Sequence, residues 1–126
     1  MKNKMKKVLL IEDDKITNFL SKEVLNRAGF TEVKETLNGM EALRYLEKDC
    51  PEIIFLDINM PVMDGWEFLA EREIKELCMN AKIFMLTSSG YPDDKIKASS
   101  YISVIDYFEK PLTEEKLEVV KKKIAS

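Results

Sequence analysis

Four short apolar runs in this chain each end in a polar residue suited to phosphate chemistry. The run from Val8 to Ile11 leads into Glu12, Asp13 and Asp14, and that from Ile53 to Leu56 leads into Asp57. The run from Ile83 to Leu86 meets Thr87, and the one ending at Phe108 leads to Lys110 and Pro111. If these runs are parallel strands of one sheet, the polar groups emerge together at its carboxyl edge, where open α/β sheets bind ligands. Facing strand ends would then crowd Glu12, Asp13 and Asp57. At roughly 5 Å and an effective dielectric near 20, each like-charge pair costs about 3 kcal/mol. A hard divalent cation removes that conflict. Magnesium suits it, because it takes octahedral oxygen ligands and binds through one or two carboxylates plus phosphate oxygens. Asp14 needs no metal, since an acid there can simply begin a helix.

The segments between the runs have helical period, the alternation that argues for βαβ units around a parallel sheet. Ile16, Leu20, Val24 and Ala28 recur every four residues, and Gly29 follows as a stop. A second strand fits Glu32 to Thr36. Asn38, with Glu41 three residues on, starts a helix whose inner face is Ala42, Leu43 and Leu46. The run from Ile53 to Leu56 is apolar on both faces and therefore central. Asp64 and Glu67 repeat the capping spacing for a helix through Leu69, Ile74 and Leu77. Tyr91 to Asp94 turns into a short polar helix with Pro92 near its start. Thr113 caps a last helix with Leu117, Val120 and Ile124 inward.

A length of 126 residues fits one domain, expected over 1–126 with a short basic tail at residues 1–5. Hydrophobic residues make up 45% and charged ones 34%, the composition of a globular chain. The net charge of -3 gives no electrostatic case for nucleic acid or an acidic membrane. No stretch could span a bilayer or act as a signal-peptide core, so the expected location is the cytoplasm. Cys50 and Cys78 have neither close spacing nor histidine partners, and are expected to be reduced structural thiols. The chain contains no histidine, which excludes a Ser-His-Asp triad, a histidine zinc site and phosphohistidine on this chain.

In order, the motifs V-L-L-I-E-D-D, I-I-F-L-D-I-N-M-P-V-M-D-G, M-L-T-S-S and D-Y-F-E-K-P resemble those of response-regulator receivers, the CheY-like family, from about Lys6 to Lys122. The resemblance implies a flavodoxin-like (βα)5 fold, doubly wound, with a five-stranded parallel sheet of order 2-1-3-4-5, as in the chemotaxis members of that family. It implies a role in a two-component phosphorelay, with Asp57 as phosphoacceptor from a partner histidine kinase or histidine phosphotransfer protein. Asp13 would ligate Mg2+ directly, Glu12 through water, and Asn59 through its main-chain carbonyl, with Asp57 completing the set. Lys110 would offset phosphoryl charge, and its bond to Pro111 would be cis. Thr87 would hydrogen-bond a phosphoryl oxygen. Thr87 and Tyr107 would form the switch, and Asn59 and Ser89 would tune dephosphorylation.

The same resemblance implies output from the face made by the fourth helix, fifth strand and last helix, to a downstream protein target. The chain would act as a monomer or phosphorylation-dependent dimer, catalysing only its own phosphorylation and dephosphorylation. It departs from the family at Ser103 and Val104, where receivers often carry Gly-Ala, which bears on the connection into the last strand. Leu112 replaces a common phenylalanine. Three other functions compete. A degenerate receiver would serve only as a binding scaffold. A haloacid-dehalogenase-like phosphohydrolase would need an acid two residues after its nucleophile, where this chain has Asn59. A nucleotide or flavin binder would want a Gly/Ser/Thr loop where Glu12, Asp13 and Asp14 stand.

Overall fold

The computed structural model describes residues 6–125; the basic tail expected at residues 1–5 lies outside them. Strands and helices alternate in strict order: β1 (Lys7–Ile11), α1 (Lys15–Arg27), β2 (Glu32–Thr36), α2 (Gly39–Leu46), β3 (Ile53–Leu56), α3 (Gly65–Lys75), β4 (Lys82–Thr87), α4 (Pro92–Ser99), β5 (Val104–Glu109) and α5 (Glu114–Ala125). The strands form one parallel sheet of order β2-β1-β3-β4-β5, as the resemblance implies. Successive side chains of a strand point to opposite faces, so the apolar runs supply two cores. Leu9, Ile11, Ile54, Leu56, Ile83 and Met85 pack with Leu43, Leu46, Phe68 and Leu69 of α2 and α3. Val8, Leu10, Ile53, Phe55, Phe84 and Leu86 pack with Leu25 of α1 and with Leu117 and Val120 of α5.

The caps fall where the spacing puts them. Asp14 accepts from the Ile16 N–H at 3.0 Å and from the Thr17 hydroxyl at 2.9 Å, so it begins α1. Asp64 and Glu67 form a reciprocal box at the start of α3. Asn38 caps α2, while Glu41 reaches past it to the Leu37 N–H at 2.9 Å. Thr113 accepts from the Lys116 N–H at 3.2 Å. Gly29 ends the α1 turn at φ +99, a conformation that costs any other residue more.

Three expectations are corrected. The first half of the α1 stripe turns outward: Ile16 is 71% and Leu20 55% exposed, while Val24 and Ala28 pack half-buried against the core and Asn18, Ser21 and Leu25 are buried. The helix is rotated by a polar anchor, because the Asn18 side-chain amide donates to the Glu12 carbonyl at 2.9 Å. In α3, Ile74 is exposed and the helix ends at Lys75, before Leu77. Cys50 and Cys78 are not free thiols but a disulfide, with Cα atoms 5.4 Å apart across 28 residues of sequence. The reason is topological. β3 and β4 are parallel neighbours with Ile53 opposite Lys82, so the connections entering them, which carry the two cysteines, lie side by side.

The Ser103–Val104 departure is absorbed locally. Among the described non-glycine residues only Val62, Glu76 and Cys78 have positive φ, so Ser103 needs no glycine-like backbone. The β4–β5 register slips between Ile83 and Phe84, leaving Ile105 as an extra residue in β5. No helix among the described residues is long and apolar enough to cross a membrane.

Candidate functional site

Parallel pairing brings the carboxyl ends of β1, β3, β4 and β5 to one edge of the sheet, and the polar residues that follow them meet there. Asp57 is carried by backbone bonding, its N–H donating to the Ile11 carbonyl at 3.1 Å, so it sits against the end of β1. Its Oδ1 accepts from the Ile58 N–H at 2.8 Å, and its Oδ2 lies 3.0 Å from Lys110 Nζ. Carboxylate oxygens of Glu12, Asp13 and Asp57 all lie within 4.8 Å of one another. Glu12 and Asp57 are 6% and 5% exposed, whereas Asp13 faces solvent. Close packing beneath the acceptor depends on Gly65, where a Cβ would stand 2.3 Å from the Asp57 carbonyl oxygen.

Lys110 is ion-paired to both Glu12 and Asp57. Burial alone would lower its pKa, but hydrogen bonds and charge from those two acids outweigh it and hold the ammonium above its ordinary range. The Glu12 carboxyl is also raised, unlike an acid whose lysine partner dominates. Burial, reinforced by the Asp57 charge, pushes its carboxyl up to about 7, although Lys110 and the Asp14 N–H pull against it. Two buried acids sharing one lysine leave negative charge in excess, and the donors are all oxygen. That donor set fits magnesium rather than zinc, which prefers nitrogen and sulfur.

A pH dependence follows. A carboxyl whose folded pKa lies above its unfolded one binds more protons when folded. Between the ordinary glutamate range and about 7, the metal-free protein therefore loses stability from this group as pH rises. Melting curves across that window should show this slope, and Glu12→Gln should remove it. Magnesium should flatten it, since the ion competes with the proton, and its affinity should fall as pH drops below about 7. Equal slopes in the parent and Glu12→Gln would contradict the assignment.

The remaining expected residues lie next to this cluster. Thr87 is fully buried; its carbonyl accepts from the Lys110 N–H at 2.8 Å, and its Oγ1 accepts from the Ser89 N–H at 3.3 Å. The Lys110–Pro111 peptide is cis. Tyr107 is half-buried, with its hydroxyl donating to the Ser89 carbonyl at 2.9 Å. Asn59 is exposed two residues beyond Asp57. Sequence reasoning missed Asp94, whose carboxylate accepts from the Ser89 hydroxyl at 2.5 Å. Its place in the first turn of α4 is the signal, since an acid there can reach back over the preceding loop.

This chain belongs to the response regulator receiver domain family, whose description matches residues 8–121. It is 36% identical to the chemotaxis protein CheY of Halobacterium salinarum, over 84% of this chain and 85% of that protein. It is 29% identical to sporulation initiation phosphotransferase F of Bacillus subtilis, over 93% of this chain and 91% of that protein. A two component response regulator from Cytophaga hutchinsonii has the same fold at a TM-score of 0.90 and 32% identity, with 98% of each chain covered. The chain is therefore a receiver domain of two-component signalling. Receivers are signalling domains rather than enzymes of the usual kind, they bind Mg2+ in an acidic pocket, and they partner with histidine kinases or phosphotransfer proteins.

Proposed function

We propose that Asp57 is the phosphoacceptor of this receiver, taking its phosphoryl group from a phosphohistidine on a partner histidine kinase or histidine phosphotransfer protein. One observation carries the reading: a buried carboxylate 3.0 Å from a lysine ammonium, amid acids within 4.8 Å on the neighbouring strand end. An Asp57 oxygen forms the new bond to phosphorus as the donor's N–P bond breaks, and the imidazole keeps the electron pair and takes a proton. Lys110, released from Glu12, turns its charge to the phosphoryl oxygens, and Thr87 donates its hydroxyl to one of them. Asp13 and Asp57 would hold magnesium directly, Glu12 through water and Asn59 through its carbonyl. The ion, when bound, screens the acids and draws charge from the phosphoryl oxygens.

The transferred group adds roughly 1.5 to 2 negative charges at the carboxyl edge. Thr87 turning toward it gives up the Ser89 N–H, and Tyr107, bonded to the same loop, follows. This shifts a population on the face of α4, β5 and α5, where Tyr91, Lys95 and Ser99 are exposed to a downstream protein. Asn59 and Ser89 tune dephosphorylation. Neither is an acid or base, and the Ser89 hydroxyl is committed to Asp94, so self-dephosphorylation is not unusually fast.

The donor must reach Asp57 past the groove between α1 and Lys110–Leu112, beside which Phe19 and Leu20 are exposed. Phe19→Asp should slow transfer from a protein donor by roughly 5- to 150-fold while leaving a small-molecule donor unaffected, since roughly 1–3 kcal/mol of apolar contact is lost there. Equal slowing with both donors would remove the docking role.

Incubation with a small acyl phosphate or phosphoramidate, with and without magnesium, tests the main reading by intact mass. The expected result is a magnesium-dependent gain of one phosphoryl group. Steady phosphate release from unrelated monoesters would indicate a hydrolase, and no reaction would indicate a scaffold; either outcome overturns the proposal.

A further inference from the structure

We propose that Cys50 and Cys78 are a reversible dithiol–disulfide pair, a covalent redox site at the end of the sheet opposite the phosphoacceptor, opened by a dithiol reductant. The two cysteines lie in the connections entering β3 and β4, whereas Asp57 and Thr87 lie at the exits of the same strands. Access is unequal. Cys50 is exposed, so an incoming thiolate can reach its sulfur, while Cys78 is half-buried; attack at Cys50 therefore makes Cys78 the departing sulfur.

The surroundings of Cys78 accommodate both states. Arg72 is fully buried, its Nη2 donates to the Cys78 carbonyl at 2.8 Å, and its Nε and Nη1 have no hydrogen-bond partner. The bond is to the backbone carbonyl, so it anchors Cys78 equally as half of the disulfide and as a free thiol. Once protonated, that thiol has acceptors waiting, because Cys78 Sγ lies 3.5 Å from the carbonyl oxygens of both Leu46 and Asp49. The exchange balances. One thiol of the reductant bonds to Cys50 Sγ as the Cys50–Cys78 bond breaks, and the second thiol then displaces Cys50. Two electrons and two protons pass to the cysteines, and the reductant leaves as its own disulfide.

Opening the link acts first on α3. Glu76 and Cys78 are held at φ 52 and 49, a backbone region unfavourable for side-chain-bearing residues. In the oxidised state the crosslink adds to Arg72 and to the backbone hydrogen bonds of Glu76, Leu77 and Ala81 in fixing that loop; on reduction the covalent restraint is lost. The other end of α3 carries Trp66, stacked 6.4 Å from Tyr101 and lying 4.6 Å beneath Lys97 of α4. A loosened α3 therefore reaches the aromatic contact that joins it to the α4 side of the domain.

The test uses the full chain, alkylation of free thiols read by intact mass, and dithiothreitol as reductant. The oxidised protein should take up no label and the native, reduced protein two. Glutathione disulfide should restore the unlabelled monomer. Reduction should lower the melting temperature by about 10 °C, as expected for opening a loop of this length in a domain of this size, and should change Trp66 emission. The double variant Cys50→Ser/Cys78→Ser should match the reduced protein, and both should still accept phosphate at Asp57. A disulfide that yields only after global unfolding, two labels without reductant, or reoxidation to intermolecular dimers would each overturn the proposal. Loss of phosphoacceptance in the oxidised protein would count against the Asp57 reading instead.

Discussion

Asp57→Asn is expected to fold like the parent and to take up no phosphoryl group from any donor. The amide keeps the shape and the oxygen that accepts the Ile58 N–H at 2.8 Å, but it has no carboxylate oxygen from which to form an acyl phosphate. The loss is therefore complete rather than partial. A second consequence has the opposite sign. Removing one of the three acids relieves like-charge repulsion worth about 3 kcal/mol per pair at roughly 5 Å and an effective dielectric near 20. Lys110 loses one of its two partners at the same time, which offsets much of the gain. The metal-free variant should still be more stable than the parent, by about 1 kcal/mol in denaturant titration, and should bind magnesium more weakly. Phosphoryl uptake by the variant would place the acceptor elsewhere.

Chelating divalent cations is expected to slow phosphorylation by about a thousandfold, the effect of roughly 4 kcal/mol on a barrier. Without a cation, an incoming phosphoryl group meets the charges of Glu12, Asp13 and Asp57 with only Lys110 against them. At similar distances each uncompensated repulsion is again about 3 kcal/mol, so the barrier rises by several kcal/mol even after Lys110 is counted. A time course of intact mass in EDTA and in magnesium measures the ratio. Equal rates would mean that the acid cluster has no part in the transfer.

The carboxyl edge was legible in the sequence because parallel strands all end on the same side. A polar residue after each apolar run is thereby assigned to one place, and Glu12, Asp13, Asp57, Thr87 and Lys110 do gather there. Strand order came from family resemblance, since apolar runs do not say which strand neighbours which. Helix faces were less legible. The Ile16–Leu20 stripe has helical period, yet the buried side of α1 is set by Asn18 and Ser21, polar residues that periodicity places outside. The disulfide was missed although its signal was present. With β3 beside β4, Cys50 and Cys78 precede paired strands by similar distances, and only sequence separation made them look unrelated. The balance within the site was also hidden. Lys110 pairs with Glu12 as well as Asp57, a contact that depends on how deeply both acids are buried.

Borohydride trapping tests the central claim most directly. Hydride reduces an acyl phosphate to an alcohol, so protein treated with a small phosphodonor and magnesium, then borohydride, should carry homoserine in place of Asp57 on peptide mapping. No other aspartate or glutamate should be converted, and omitting magnesium should leave residue 57 as aspartate. Conversion at Asp13 or Glu12, or at no position despite phosphodonor and magnesium, would contradict the account.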